Sequence, residues 1–296
     1  MFERPHYRVE LKNSALVLGK RTLVMGVLNV TPDSFSDGGR FAGPEDAIAH
    51  ALEMEKCGAD LIDIGGESTR PGSHGTTATD ELLRVLPVLA GLRGRLKIPI
   101  SIDTQKAEVA EAAVRAGAEI INDISALRGD AAMARMAARR RAGLILMHMR
   151  GEPRTMQKGP FAKDMLRDVA GGLREAAKKA LAAGVAKNRI VLDPGIGFGK
   201  SFRQNYELLA RLPELAKLGF PLLVGVSRKT FLGATLGKDG QHAAPGERIW
   251  GTAAAVTASI LGGAHIVRVH DVAEMAQVVR VADCVRNPAL GPENKK

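Results

Sequence analysis

Polar residues that could bind or transform a small molecule follow eight short apolar runs in this chain. At the first, "LVMGVL" gives way to Asn29 and the stretch "NVTPDSFSDGG". The others end in carboxylates, amides, hydroxyls, imidazoles and basic groups: Asp63, Glu67, Asp103, Asn122, Asp123, His148, Asp193, Ser227, Arg228, Lys229, Arg268, His270 and Asp271. Any one of these could cap a helix, because Asp, Asn and Ser favour the N-cap. Polar residues at the same place after all eight apolar runs indicate one shared site.

One group among these residues suits a flat heterocycle. Asp103, Asn122 and Asp193 offer hydrogen-bond acceptors and one amide that both donates and accepts. Such a set matches the amino and ring N–H edge of a planar ring. Lys229 adds a donor for a ring carbonyl.

A second group suits an anion. Arg268 provides a fork for phosphate oxygens, and the side-chain oxygen of Asn29 can ligate Mg²⁺. His270 lies two residues beyond Arg268 and can join it. This group predicts a substrate with a phosphorylated leaving group.

The apolar runs predict the elements that must position these residues. Each run is followed by a segment with apolar residues three and four apart, which is typical of an amphipathic helix. The predicted strands cover residues 23–28, 61–65, 98–102, 119–122, 143–147, 189–192, 222–226 and 265–269. Strands this apolar are buried on both faces, as in a parallel sheet flanked by helices. We predict an α/β fold, a single-domain (β/α)8 TIM barrel, with a doubly wound open sheet as the alternative.

A barrel brings the carboxyl ends of its strands to one face, where barrel enzymes carry out their chemistry. We predict that residues 22–285 form this barrel. Residues 1–21 would be an N-terminal extension, since the alternation in "YRVELKNSALVLGK" predicts a β-hairpin that closes the bottom of the barrel. Residues 286–296 would be a flexible tail.

The stretch "DPGIGFGKS" at residues 193–201 is not a nucleotide-binding loop. Pro194 stands where the phosphate loop needs Gly, and the GxGxxG pattern fails at Lys200. Its glycines predict a tight strand-to-helix turn that brings Asp193 and Phe198 close to a flat ligand. Ordinary core packing explains Phe198 equally well from sequence.

Composition excludes several other classes of protein. No apolar run approaches the roughly 20 residues that cross a bilayer, and the charged N-terminus lacks the apolar core of a secretion signal, so we expect no membrane contact and a cytoplasmic location. Cys57 and Cys284 lie far apart, which predicts buried structural thiols and neither a disulfide nor a zinc site.

The net charge of +10 and the run "ARRRA" could suggest nucleic-acid binding, but only 4% of residues are aromatic and none alternates with the basic residues. We interpret the arginines as a solvated helix face and predict no nucleic-acid partner.

Nine motifs in order resemble the dihydropteroate synthases of folate biosynthesis. They are "GVLNVTPDSFSDGG", "DIGGESTRPG", "SIDT", "NDIS", "LMHMRGEPRTMQ", "DPGIGFGK", "GVSRK", "GTAA" and "RVHDV". The match to the family spans roughly residues 22 to 285. The resemblance implies a barrel enzyme, usually a homodimer, that joins 6-hydroxymethyl-7,8-dihydropterin diphosphate to p-aminobenzoate. Diphosphate leaves with Mg²⁺ as cofactor, and sulfonamides mimic p-aminobenzoate.

The resemblance also implies roles for individual residues. Pterin-binding positions are matched by Asp103, Asn122, Asp193 and Lys229, with Met147 and Phe198 lining the pocket. Diphosphate and Mg²⁺ positions are matched by Asn29, Arg268 and His270, with Asn29 as the metal ligand. The p-aminobenzoate surroundings are matched by Phe35, Thr69, Arg70, Pro71 and Ser227, and Asp37 lies in the first loop. The implied catalytic residues are Asp103, Lys229, Arg268 and His270.

The implied mechanism is dissociative, with C–O cleavage before attack by the arylamine, so no covalent nucleophile is needed. The stretches "TPDSFSDGG" and "GESTRPGSHGTT" would be two lids over the site. Two alternatives share the barrel: a pterin-binding methyltransferase domain, and a synthase paralogue that binds without turnover. The first would need neither "SRK" nor the "STRPG" lid, and the corrinoid-binding pattern DxHxxG is absent. Nothing in the sequence supports loss of turnover.

Overall fold

Ten strands organise the part of the chain that the structure describes. The structure, a computed structural model, describes residues 4–31, 43–68, 75–152, 155–156 and 159–293. Two strands near the N-terminus pair antiparallel, β1 (Tyr7–Glu10) and β2 (Ala15–Leu18). The parallel strands are β3 (Leu23–Asn29), β4 (Leu61–Gly65), β5 (Ile100–Asp103), β6 (Ile120–Asp123), β7 (Gly143–Met147), β8 (Ile190–Asp193), β9 (Leu223–Val224) and β10 (Ile266–Val269).

The parallel strands form a barrel. Their order in space is β8-β7-β6-β5-β4-β3-β10-β9. A parallel bridge between Leu192 and Leu222 joins the first and last strands of this series. The predicted (β/α)8 barrel is therefore confirmed, and the doubly wound open sheet is excluded. The run predicted as a strand over 222–226 shortens to two residues, because pairing with β10 covers only Leu223 and Val224.

Helices alternate with the barrel strands as predicted. They are α1 (Pro44–Lys56), α2 (Ala78–Leu92), α3 (Ala107–Ala116), α4 (Met133–Arg140), α5 (Met165–Ala182), α6 (Phe202–Ala210), α7 (Leu212–Ala216), α8 (Thr230–Leu236), α9 (Ile249–Leu261) and α10 (Val272–Arg286). Short 3-10 helices cover Lys187–Arg189, Pro245–Arg248 and Pro288–Leu290. Among the described residues, no helix combines the length and the apolar character that a membrane crossing requires.

Alternation along the strands separates two apolar clusters. Outward residues such as Ile62, Ile64 and Ile102 pack with the helices in the large cluster. Inward residues near the strand starts form a second cluster inside the barrel: Leu23, Met25, Leu61, Ile120, Ile145, Val191, Leu223 and Ile266. Because side chains alternate with period two, the inward positions further along each strand reach the carboxyl end of the barrel. Those are the polar positions identified in the sequence.

The N-terminal hairpin closes the bottom of the barrel. Val9 and Leu11, on and after β1, and Leu16 and Leu18 on β2 belong to the same cluster as the inward residues of the barrel. This contact confirms the predicted hairpin. The division of the chain at residues 21 and 285 stays a prediction, as does the flexibility of residues 286–296. The two cysteines are free, but both are partly exposed, so their predicted burial was wrong.

Arg4 anchors the N-terminal segment to the end of the chain. Its side chain is fully buried. It donates to the carbonyls of Gly19 and Ala264 and lies 3.4 Å from the carboxylate of Asp283 on α10. A buried arginine is tolerated only when its donors are satisfied, so these contacts fix the segment in place.

We expect Arg4→Met to lower the free energy of unfolding by about 3 kcal/mol, since it removes one partner of a buried ion pair and leaves Asp283 with Arg286, 3.5 Å away, as its remaining cation. The loss should lie at the low end of the range for such pairs, because Thr22 still donates to Asp283. Chemical denaturation measures the change. Arg8→Met is the control, because Arg8 is mostly exposed and pairs only with Glu10 on its own strand. Equal midpoints for the two variants would contradict the anchoring role.

Candidate active site

Four neighbouring strands present one row of polar residues at their carboxyl ends. Asn29 pairs with Gly65, Gly65 with Asp103, and Asp103 with Asn122. A Cβ atom added to Gly65 would lie 3.5 Å from the Cβ of Asp103 and 3.7 Å from Oδ1 of Asn29. The missing side chain of Gly65 therefore leaves room between the two predicted groups of residues.

Arg268 joins the row from β10 through a buried network. It donates from Nε to Asp63 Oδ2 at 2.7 Å and from Nη2 to Asp103 Oδ2 at 2.9 Å. Asn122 Nδ2 donates to the same oxygen of Asp63 at 2.9 Å. The sequence assigned Arg268 to the anion group, and the structure shows that it also contacts the heterocycle group. Its Nη1 bonds to none of the described residues and remains available.

Asp63 was among the polar strand ends in the sequence, but it received no role. It is fully buried and holds both Arg268 and Asn122. A signal was available, because a carboxylate in the middle of the run "LIDIG" must have a partner when buried. We interpret Asp63 as the residue that orients these two side chains.

Three polar atoms in this region are buried without a partner among the described residues. They are Asp63 Oδ1, Ser101 Oγ and Asn122 Oδ1. Buried polar atoms are normally hydrogen-bonded, and leaving them unpaired costs free energy. Because a polar ligand or a water molecule would satisfy them, the interior at this level suits a polar occupant.

The two site carboxylates have raised pKa values. Burial raises the pKa of Asp103 to about 7, with Asp63 adding to the rise and Arg268 opposing it. Burial raises the pKa of Asp193 to about 6, opposed by the hydrogen bond from the Gly195 N–H to Oδ1. Ligand N–H donors favour the ionised form of a carboxylate, so such a ligand would bind with ionisation of both groups.

Lys229 lies over the ring of Phe198, with Nζ 3.9 Å from the ring centroid. Burial, followed by the charge of Arg268, lowers the pKa of Lys229 to about 8. The amine remains largely protonated at neutral pH, and Nζ makes no hydrogen bond to a described residue. Phe198 also packs against the small cluster of Ile124, Met147, Met149 and Met156. From the sequence, Phe198 could belong either to the core or to the site. In the structure its ring contacts both.

Ser227 and His270 form a pair at the ends of β9 and β10. Ser227 Oγ accepts from the backbone N–H of His270 at 3.2 Å and lies 3.0 Å from its Nδ1. Ser227 Oγ has one hydrogen and a second lone pair, so this contact fits either neutral tautomer of the ring. Burial, followed by the charges of Arg268 and Arg228, lowers the pKa of His270 to about 3. His270 is therefore neutral and has one ring N–H that can donate.

A comparison of the whole sequence with known protein families agrees with a site for a flat heterocycle. The family model described as pterin binding enzyme matches residues 25–270. The chain belongs to this family of pterin-binding enzymes.

Named relatives of this pterin-binding enzyme are similar over nearly the whole chain. The dihydropteroate synthase of Synechocystis sp. is 50% identical over 267 residues, which cover 90% of this chain and 91% of that protein. The structure of Yersinia pestis dihydropteroate synthase with a sulfonamide drug has a TM-score of 0.88 and 42% identity, covering 95% of this chain and 99% of that one. The structure of Xanthomonas albilineans dihydropteroate synthase with 4-aminobenzoic acid has a TM-score of 0.87 and 42% identity. The match covers 96% of this chain and 99% of that one. The resemblance drawn from the motifs is confirmed.

Among the described residues of this pterin-binding enzyme, Asn29 is the predicted ligand of Mg²⁺. Within the described ranges, no three or more His, Cys, Asp or Glu side chains are grouped so that they could hold a metal ion. Mg²⁺ often takes one or two protein oxygens and completes its shell with phosphates and water. Asn29 is partly buried and near Asp103, and its carboxamide can supply one such oxygen.

Five predicted site residues cannot be placed. Phe35, Asp37, Thr69, Arg70 and Pro71 lie outside the described residues. The two ends of the second loop are tied together, since Glu67 Oε1 accepts from the Thr76 N–H at 2.9 Å. Lys106 pairs with Glu67 at 2.8 Å and with the buried Glu81 at 2.6 Å, which fixes the base of this loop beside Asp103 on the next strand. The predicted contacts with p-aminobenzoate remain predictions.

Proposed function

We propose that this chain is a dihydropteroate synthase. It condenses 6-hydroxymethyl-7,8-dihydropterin diphosphate with p-aminobenzoate to give 7,8-dihydropteroate and diphosphate. The observation that carries the proposal is the network of Asp103, Asn122 and Arg268 at the mouth of the barrel, in a chain of the pterin-binding family. Relatives with this name at 44 to 50% identity support it.

Carboxylates and the lysine hold the heterocycle in this proposal. Asp103 and Asp193 accept from the amino and ring N–H groups, and Lys229 donates to the ring carbonyl. Asn122 Nδ2 is occupied by Asp63, so its unpaired Oδ1 is the atom left for the pterin. Phe198 and Met147 would lie against the faces of the ring, since both belong to the apolar cluster beside the site.

Cleavage of the C–O bond precedes formation of the C–N bond. The electron pair of the C–O bond leaves with the diphosphate, and the cation that remains is delocalised into the dihydropterin ring. Asp103 stabilises this cation, because an ionised carboxylate lies close to the ring. The arylamine nitrogen attacks the exocyclic carbon and then loses a proton, so neither a covalent intermediate nor a strong base is required.

Arg268 and His270 bind the departing diphosphate. Arg268 presents Nη1, and the neutral ring of His270 presents its N–H. Mg²⁺ held by Asn29 and substrate oxygens would neutralise diphosphate charge when bound.

Release of diphosphate tests the proposal. With dihydropterin diphosphate and p-aminobenzoate together, the wild-type chain should release diphosphate and form one dihydropteroate per diphosphate. A binding-only paralogue would bind the pterin without either product. A methyltransferase domain would bind a reduced pterin but give no condensation. Either result would overturn the proposed reaction.

We expect p-aminobenzoate to bind measurably only after pterin and diphosphate are present. Its predicted contacts lie on two loops and on Ser227, and the described Ser227 hydroxyl is already engaged by His270. Occupation of the anion site by diphosphate would bring charge to His270 and order the mouth of the barrel first. Calorimetry with p-aminobenzoate, alone and with pterin plus diphosphate, measures this order. Equal affinity for the free protein would contradict it.

We also propose a cytoplasmic homodimer. Val281 and Val285 are 66% and 54% exposed on α10, and Trp250 is 79% exposed on the adjoining α9. Exposed apolar side chains on two packed helices suit a second copy of the chain. Sedimentation equilibrium would show a monomer if this part of the proposal is wrong.

A further inference from the structure

The loop between β8 and α6 crosses closely over the end of β7. Gly195 has φ of 64°, and a Cβ atom there would lie 1.9 Å from the carbonyl oxygen of His148. Gly199 has φ of 65°, and a Cβ atom there would lie 2.1 Å from the carbonyl oxygen of Arg150. Only glycine permits this approach at both positions. The loop that carries Asp193 and Phe198 is therefore packed against the segment that follows Met147.

Lys200 connects these two segments. Its side chain is completely buried, and none of the described carboxylates bonds to it. Nζ donates to the carbonyl of Gly195 at 2.8 Å and to that of Phe198 at 2.9 Å. It also lies 3.3 Å from the carbonyl oxygen of His148 and 3.2 Å from His148 Nδ1. One amine thus spans the loop and the end of β7.

His148 extends this contact to α5. Its Nε2 lies 3.3 Å from Asp168 Oδ2, and Arg150 contacts the other oxygen of Asp168 at 3.2 Å. Burial, followed by the charge of Lys200, lowers the pKa of His148 to about 3, so the ring is neutral. Nε2 faces the carboxylate of Asp168, and Nδ1 is the ring atom that contacts Lys200. Lys200 Nζ therefore contacts His148 on one side and the carbonyls of the loop on the other.

We propose that Lys200 is a positioning residue of the pterin pocket: it holds the carbonyls of Gly195 and Phe198 so that Asp193 and Phe198 keep the geometry that binds the heterocycle. This inference rests on the proposed function, because it takes the pocket to bind a pterin. Asp193 is directly attached to the same loop through its bond from the Gly195 N–H. The Phe198 ring, in turn, lies under Lys229.

The positioning role does not require a charge on Lys200. Burial lowers its pKa to about 7, while Asp193 and Asp168 act in the opposite direction. A neutral amine still has two N–H donors, and these suffice for the two shortest bonds. Removal of the amine leaves the Phe198 carbonyl without this donor and the Gly195 carbonyl with the Phe198 N–H alone, so the loop must rearrange to reach another donor.

The test compares two ligands that occupy different halves of the site. For Lys200→Met we expect the dissociation constant of 6-hydroxymethyl-7,8-dihydropterin to rise about tenfold or more, with the affinity for inorganic diphosphate unchanged. The effect should overlap with that of Phe198→Ala, so the double variant should bind the pterin little more weakly than Lys200→Met alone. Lys200→Gln keeps an amide donor, so it should lie between wild type and Lys200→Met. It serves as the test variant if Lys200→Met does not fold.

Arg4→Met is the matched control. It also removes a fully buried cation that donates to two backbone carbonyls, but at the closed end of the barrel, so it should lower stability and leave pterin affinity unchanged. Unchanged pterin affinity in folded Lys200 variants would overturn the inference. So would equal losses for pterin and diphosphate, or additive losses with Phe198→Ala. If the wild-type chain itself binds no pterin, the proposed function fails, and this inference fails with it.

Discussion

Replacement of Arg268 by glutamine should lower kcat by about 100-fold or more, equivalent to about 2.7 kcal/mol, with a smaller loss of affinity for the dihydropterin diphosphate. The guanidinium is already fixed by Asp63 and Asp103, so its remaining nitrogen is preorganised toward the open side of the row. Charge on the diphosphate grows as the C–O bond breaks, and a fixed donor therefore acts most strongly in the transition state. Single-turnover diphosphate release and calorimetry separate the two effects.

The same replacement should move the acidic limb of the pH–rate profile to higher pH. Arg268 holds the pKa of Asp103 down against burial and Asp63, so its loss lets that pKa rise above about 7. A greater fraction of Asp103 is then protonated at a given pH, and less of the enzyme is active. Arg268→Lys keeps the charge and should keep the limb in place, but it should recover only part of kcat because it lacks the fork.

Arg189→Gln provides the control for Arg268→Gln. Arg189 is also a buried arginine, but it bonds to the carbonyls of Glu10 and Arg141 at the opposite end of the barrel. Its loss should affect stability and not kcat. A wild-type release rate in Arg268→Gln would show that Arg268 is structural and that the leaving group is held elsewhere.

The fold could be predicted from the sequence because the barrel strands are marked by a strong local signal. A strand buried on both faces must be apolar at nearly every residue, and such runs are easy to recognise between helix-like segments. The first and last residues of each strand are harder to predict, because they depend on which residues hydrogen-bond to the neighbouring strands. The run at 222–226 shows this, since only Leu223 and Val224 pair in β9.

The network beneath the site was much less accessible to sequence reasoning. Asp63 contacts Asn122 and Arg268, which are 59 and 205 residues away in the chain. Their shared position on the barrel predicts that they lie near one another, but not which polar atoms bond. Lys200 was considered only as the residue that breaks a nucleotide-binding pattern. Its burial against backbone carbonyls depends on the path of a glycine-rich loop, and the residue types alone do not show that path.

Replacement of Asp193 by asparagine should reduce affinity for 6-hydroxymethyl-7,8-dihydropterin by about 100-fold, or about 2.7 kcal/mol. Asparagine keeps a carbonyl oxygen for the Gly195 N–H, so the loop can retain its bond. The other carboxylate oxygen becomes an NH2 group, which presents a donor to the N–H donors of the ligand. The variant therefore removes a charge-assisted bond and places two donors against each other without creating a cavity. Calorimetry on the folded variant measures the loss.

The pH dependence of wild-type binding provides an independent check on this role. Asp193 and Asp103 have pKa values of about 6 and about 7, and each must be ionised to accept from the ligand. As pH falls through these values, ligand binding must displace protons, so wild-type affinity should weaken from about pH 8 to about pH 5. In Asp193→Asn the titration of Asp193 is lost and that of Asp103 remains, so the dependence between about pH 7 and about pH 5 should become shallower. A flat wild-type profile, or a folded Asp193→Asn protein with unchanged affinity, would show that Asp193 does not bind the heterocycle.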